Sequence, residues 1–167
     1  MNTFELIDLA SSITVIAGVF FALLEFRNFK AARKREAALT LMQNFMSAEY
    51  NKIIPIVFDM PIGLSPDEIV KAMDGKANIF SFLSVFESLG VLVFHREISL
   101  DLADDYFSSP AQAAWMKLEP FIKQWREDNG RPVGWEWVEW LHDQMAKREQ
   151  DEAPIPANIA HRHWKAN

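Results

Sequence analysis

Cysteine is absent from the 167 residues, which excludes a disulfide framework, an iron–sulfur cluster, a thiolate zinc site and a cysteine nucleophile. Glycine is scarce, with six in all, and these six build neither a Gly-rich phosphate loop nor a G-x-S-x-G elbow. A His-Glu-x-x-His helix is missing as well. Of the four histidines, His161 and His163 are the closest pair. Two imidazoles without a third fixed ligand hold a metal poorly, so neither a metal nor another cofactor is expected. Positive charge is short too. The net charge of −6 divides into −3 for residues 1–26, +5 for residues 27–35 and −8 for the remainder. Nucleic-acid phosphates would be repelled by so acidic a remainder, so no nucleic-acid partner is expected.

Charge is missing altogether from the sixteen residues Leu9 to Leu24. A hydrocarbon core of roughly 30 Å needs about twenty mainly apolar helical residues, and Leu6 to Phe26 supplies them if Asp8 and Glu25 lie at the two interfaces. Eleven Leu, Ile, Val and Phe side chains between Leu6 and Leu24 outweigh Ser11, Ser12, Thr14 and Gly18 on the insertion scale. An interfacial helix would show a polar face, whereas Ile13 to Leu24 is apolar or small all round. Residues 1–26 are therefore expected to be a transmembrane anchor.

Arg27, Lys30, Arg33, Lys34 and Arg35 follow the apolar run, and only Glu5 and Asp8 carry charge before it. The positive-inside rule then places the N-terminus outside and the remainder in the cytoplasm of an inner-membrane protein, with the five basic residues at the lipid headgroups. A cleaved signal would carry its charge in the opposite order. Ala10, Thr14, Gly18 and Ala22 recur every four residues, a small-residue stripe of the kind along which membrane helices approach closely.

From Glu25 to Ser47 there is neither Gly nor Pro, so residues 27–48 are expected to continue the anchor as a basic juxtamembrane helix. Leu39, Met42, Phe45 and Met46 would be its packed face. Residues 49–148 then read as a small helical bundle. Pro55 and Pro61 limit Ile53–Phe58 to a short helix or turn. Ser65-Pro66-Asp67-Glu68 is a complete helix start, and Gly75 is its expected stop.

Ala77 to Phe94 is the most apolar soluble stretch. Glu87 near its middle makes a second span costly, so a central core helix is expected, with Ile79, Phe82, Leu83, Phe86, Leu89 and Val93 inward. Ser99 begins another helix, and Ser109-Pro110-Ala111-Gln112 repeats the capping pattern. Ala114, Trp115, Leu118, Phe121, Ile122 and Trp125 trace an amphipathic helix bent at Pro120 and stopped at Gly130. Trp137, Trp140, Leu141 and Met145 share a face of the last strong helix, which frays at Lys147-Arg148-Glu149. Residues 149–167, with Pro154 and Pro156, read as a tail.

Most carboxylates sit at helix starts or on solvated faces. Glu87 differs, since a carboxylate on an apolar helix needs an Arg or Lys or a backbone donor beside it. Glu87, Arg96 and Arg126 are thus the candidate polar pocket. Trp135, Trp137 and Trp140 are a candidate partner surface, with core packing as the plainer reading.

The segments Phe26–Phe45, Phe82–Phe107 and Trp125–Met145, and most specifically Phe86-Glu87-Ser88-Leu89-Gly90 with Trp115 and Arg126, carry a likeness. The chain resembles a family of bacterial and phage membrane-anchored helical proteins catalogued only as a domain of unknown function, over nearly all of its length before the tail after Lys147. The resemblance implies an all-helical cytoplasmic module behind one span and brings no activity with it.

The expected fold is all-α, one N-terminal transmembrane helix continuing into a small cytoplasmic helical bundle. The expected role is non-enzymatic: an accessory, scaffold or assembly subunit that contacts lipid and either itself, as a homo-oligomer, or a larger membrane complex. A membrane-tethered enzyme or ligand sensor around Glu87, and an oligomerising membrane effector, are the alternatives.

Overall fold

The computed structural model describes residues 15–16, 18–29, 32–33, 36, 39–40, 43, 45, 47–151 and 155–166. The chain divides into two compact units, Met1–Thr40 and Leu41–Asn167. In the first, residues 18–29 are helical and exposed. Of the stripe, Gly18 and Ala22 are exposed helical residues, and nothing lies within 4 Å of where a Gly18 Cβ would be. Ala10 and Thr14 lie outside the described residues. Arg27 and Arg33 are exposed, while Lys30, Lys34 and Arg35 lie outside the description, as do Met42 and Met46.

The second unit is helical, with no strand among the described residues. Its helices are α1 (Ala48–Asp59), α2 (Pro66–Ala72), α3 (Lys76–Phe94), α4 (Leu100–Asn129), α5 (Glu136–Asp151) and a single turn, α6 (Ala157–Ala160). The longest, α4, packs on α1, α2, α3 and α5, and α3 also packs on α1 and α5. Between them lies a core in which Ile79, Phe82, Leu83, Phe86 and Leu89 of α3 meet Ala114, Leu118 and Ile122 of α4 and Leu141 and Met145 of α5, all buried. These residues follow helical spacing on each element, so each helix buries one stripe. The expected inward face of α3 is the observed one.

Several starts and stops follow local chemistry. The Ser65 hydroxyl accepts from Glu68 N–H while the Glu68 carboxylate accepts from Ser65 N–H at 2.9 Å, closing the capping box ahead of Pro66. That hydrogen bonding to Ser65 holds the exposed Glu68 carboxyl below the usual range. Ser99 caps α4 by accepting from Leu102 N–H at 3.2 Å. Gly130, with φ 59°, ends α4 in the left-handed conformation.

Other expectations are corrected. The helix around Pro55 is longer than Ile53–Phe58. It runs from Ala48 to Asp59, capped by Ser47, because buried Tyr50, Ile53 and Val57 offset the one hydrogen bond that Pro55 removes. Ser109-Pro110 starts no new helix. It lies inside the 30-residue α4, which also passes through Pro120. Ala103, Phe107, Ala111, Ala114, Leu118 and Ile122 form one continuous buried stripe across both prolines, and that burial outweighs two missing donors.

Gly75 is not the left-handed residue that ends α2. Asp74 is, at φ 54°, with Gly75 N–H reaching back to Val70 O at 2.8 Å in a Schellman closure. The end of α3 repeats this geometry with Arg96 at φ 58° and Glu97 N–H on Leu92 O at 2.9 Å.

On α5 the buried stripe is Val138, Leu141 and Met145, with Trp137 and Trp140 half-buried beside it. The helix continues through Lys147–Glu149 to Asp151, because its last turns are tied to α4. Arg148 pairs with Asp101 and, at 3.5 Å, with Asp104, and Gln112 donates to Glu149.

Candidate functional site

The start of α5 has no side chain able to cap it. Gly134 and Trp135 precede Glu136, and neither offers an acceptor for the first unpaired N–H groups. Trp135 takes φ 58°, which turns the following N–H groups toward α3. There Glu87 supplies what the local sequence lacks: its Oε2 accepts from Trp137 N–H and Val138 N–H, both at 3.1 Å. A carboxylate fifty residues upstream is the N-cap of α5. Of the two kinds of partner that an apolar setting demanded, a cation or a backbone donor, the structure supplies the donor, and the helix dipole favours the negative charge there.

One turn further along α3, Gly90 lets the two helices meet. A Cβ at Gly90 would lie 2.5 Å from Trp137 O and 2.8 Å from Trp137 Cβ. Thus Glu87 and Gly90, three residues apart on one face, clamp the same turn of α5, while Phe86 and Leu89 beside them point into the core.

Arg126 of α4 holds the connection between α4 and α5. Its Nε donates to Gly134 O at 2.7 Å, its Nη1 to Glu139 Oε2 at 2.8 Å, and the guanidinium lies 5.7 Å from the centre of the Trp115 ring. Gly134 has no room for a side chain either, because a Cβ there would lie 2.2 Å from the Trp125 ring. Trp135 closes the corner, its ring stacked on Phe80 at 5.7 Å and 6.2 Å from Trp125. Buried Nη2 of Arg126 and Nε1 of Trp135 lack hydrogen-bond partners.

The pocket expected from Glu87, Arg96 and Arg126 is not assembled as a trio. Arg96 is exposed at the left-handed end of α3, where its backbone serves the helix stop. Glu87 and Arg126 flank the start of α5 from two helices. Of the candidate partner surface, Trp135 belongs to the corner just described. Trp137 and Trp140 lie against Phe94, with ring centres 4.8 and 5.8 Å away, and Phe94 is half exposed. The sequence marks Gly90 only as part of the segment Phe86–Gly90 and gives neither it nor Gly134 a role as a contact point. The signal that points to the clamp is the missing cap before Glu136 together with the lone carboxylate of α3.

No group of His, Asp and Glu suited to a metal occurs among the described residues. A cavity of 240 Å³ lined by Ser47, Glu49, Tyr50, Ile53, Ser81 and Val85 lies on the other side of α3. Tyr50 is buried there with its hydroxyl unpaired, and burial pushes its phenol well above the ordinary range.

Burial raises the Glu87 carboxyl above the ordinary carboxylate range. The bonds from Val138 and Trp137 oppose the rise, nearby Glu136 adds to it, and Arg126 opposes it. The folded state therefore binds this proton more tightly than the unfolded chain does. The resulting contribution to stability is full below the unfolded carboxyl value and disappears as pH rises through the folded one. Glu87→Gln keeps an oxygen acceptor and removes the titration. The stability of the native protein relative to this variant is expected to fall between the acid side of the carboxylate range and neutrality. Urea midpoints across that pH series measure it, and a difference that grows with pH would contradict the assignment.

Arg126→Lys is expected to cost about 1–3 kcal/mol despite its conserved charge, because one ammonium cannot serve Gly134 O and Glu139 together as the planar fork does. Denaturant titration followed by tryptophan fluorescence reads this directly, and an unchanged midpoint would show the fork to be dispensable.

A tertiary N-cap, two side-chain-free contacts and an arginine fork hold the helices of the second unit together as an all-α bundle. The chain belongs to the family described as Domain of unknown function (DUF4760), whose model matches residues 12–145. That match spans the clamp, the arginine fork and the apolar helix before them. No curated protein and no solved structure matches the chain.

Proposed function

We propose that this protein is a single-pass membrane-anchored accessory or assembly subunit, with its helical bundle on the cytoplasmic side and its action carried by helix packing. The observation that carries the reading is the exposure of residues 18–29. In that helix Val19, Phe20, Phe21 and Leu23 present between 56 and 70 % of their surface. A run of large apolar side chains on all sides of one helix suits lipid far better than water. The basic residues from Arg27 to Arg35 set the orientation. Helix α3 is also long and apolar enough to span a membrane, yet seven of its residues are buried among the other helices, which supports its place as the centre of the bundle.

Gly18 and Ala22 leave room for a second membrane helix, in this reading another copy or a partner subunit. The half-buried Trp137 and Trp140 beside exposed Phe94 are the matching surface on the bundle. The engagement of Glu87 in capping α5 supports a structural role for that carboxylate over a catalytic one.

Alkaline washing of cell membranes is expected to leave the protein in the pellet. Because the chain has no cysteine, single cysteines report topology. A membrane-impermeant maleimide is expected to label Asn2→Cys in intact cells and Ala160→Cys only after lysis. Release by alkali, or the reverse labelling order, would overturn the anchor. A detergent-solubilised protein that is monomeric and yields no crosslinked partner in cells would overturn the subunit role.

A further inference from the structure

We propose that residues 155–166 make a second contact with the bilayer, as a cationic, tryptophan-bearing tail that binds anionic lipid headgroups. This rests on the membrane reading above and adds a site to it. Residues 36–154 carry a net −10, whereas 155–166 hold Arg162, Lys165, His161 and His163 and no acid. An acidic bundle is repelled by an anionic leaflet, and a basic segment that leaves the bundle offsets this where it matters, within a Debye length of the surface.

The segment is also built for an interface rather than for water alone. Every described residue in it is exposed, including Ile155 at 64 %, Ile159 at 55 % and Trp164 at 75 %. The turn Ala157–Ala160 and the bond from Trp164 N–H to His161 O at 2.8 Å bring these apolar groups and the charges into one short stretch. Apolar side chains, a tryptophan and flanking basic residues are the composition of segments that lie at the headgroup level. Two fixed cations bind weakly alone. On a chain already tethered by a span, the contact is intramolecular, and its effective concentration is high. The tail lies beyond residues 12–145, the part that the family model matches.

The test uses the full chain carrying Ala160→Cys, labelled with an environment-sensitive fluorophore and reconstituted into vesicles of phosphatidylcholine alone or mixed with phosphatidylglycerol. The mixed vesicles are expected to give a blue-shifted emission and several-fold slower quenching of the outward label by dithionite. Phosphatidylcholine alone is expected to give neither. Arg162→Glu with Lys165→Glu is expected to abolish the difference. Equal emission in both vesicles overturns the proposal: if unshifted the tail stays in water, and if shifted in both it rests on the protein itself or inserts without regard to charge. Flotation of the same samples reads the anchor separately. Protein that floats with both vesicles while the label ignores composition fails the tail alone, and protein that floats with neither fails the anchor and this inference together.

Discussion

Gly90→Leu is expected to destabilise the bundle by at least about 3 kcal/mol, the upper part of the range for overpacked contacts. The first side-chain carbon alone would sit 2.5 Å from Trp137 O. The obstacle is backbone, which cannot swing aside as the end of a flexible side chain does, so α3 and α5 must separate. Separation also draws Glu87 away from Trp137 and Val138 N–H, leaving two donors and a half-buried carboxylate unsatisfied. The midpoint of thermal unfolding is expected to fall by roughly 10 °C for a unit of this size. Ser88→Leu, two residues earlier at an exposed position, is the control that places a leucine on the same helix without the collision. A Gly90→Leu protein that melts with the native one would show that the helices do not meet at this turn.

Phe86→Ala is expected to cost about 3–5 kcal/mol, the range for emptying a buried aromatic site. Phe86 is fully buried, with ring centres 5.0 Å from Phe82, 5.3 Å from Phe45 and 6.3 Å from Tyr50. Phe45 stacks in turn on Phe107 at 4.0 Å, so this cluster joins the residues just ahead of α1 to α3 and α4. The loss is therefore expected to show in two readouts: a lower urea midpoint, and faster proteolytic cleavage near Ser47, where the chain is extended. A lower midpoint without faster cleavage would mean that Phe45 is held independently of Phe86.

These substitutions separate what was legible in the residues from what was not. The serine caps at Ser65 and Ser99 and the glycine stop at Gly130 were legible because each is a contact within one turn of its own helix. The inward stripe of α3 was legible because burial follows helical spacing. The reading of Ser109-Pro110 as a helix start failed because the same dipeptide fits the interior of a helix whose buried stripe continues past it. The early end of α5 failed because its last turns are retained by Arg148 and Glu149, whose partners lie more than thirty residues away. Arg96 has the charge to pair with Glu87, but it sits exposed at the left-handed end of α3.

The all-helical class, the apolar stretch ahead of the bundle, the acidic character of the remainder and the need of Glu87 for a partner can be read from the residues alone. All of these follow from composition and from spacing along one helix. It takes the tertiary fold to make the bare start of α5 the partner of Glu87, to bring Trp137 and Trp125 against Gly90 and Gly134 where a side chain would collide, and to set Arg126 across the corner between α4 and α5. Those contacts join residues far apart in the chain, and nothing in local spacing encodes which turn of one helix will face which turn of another.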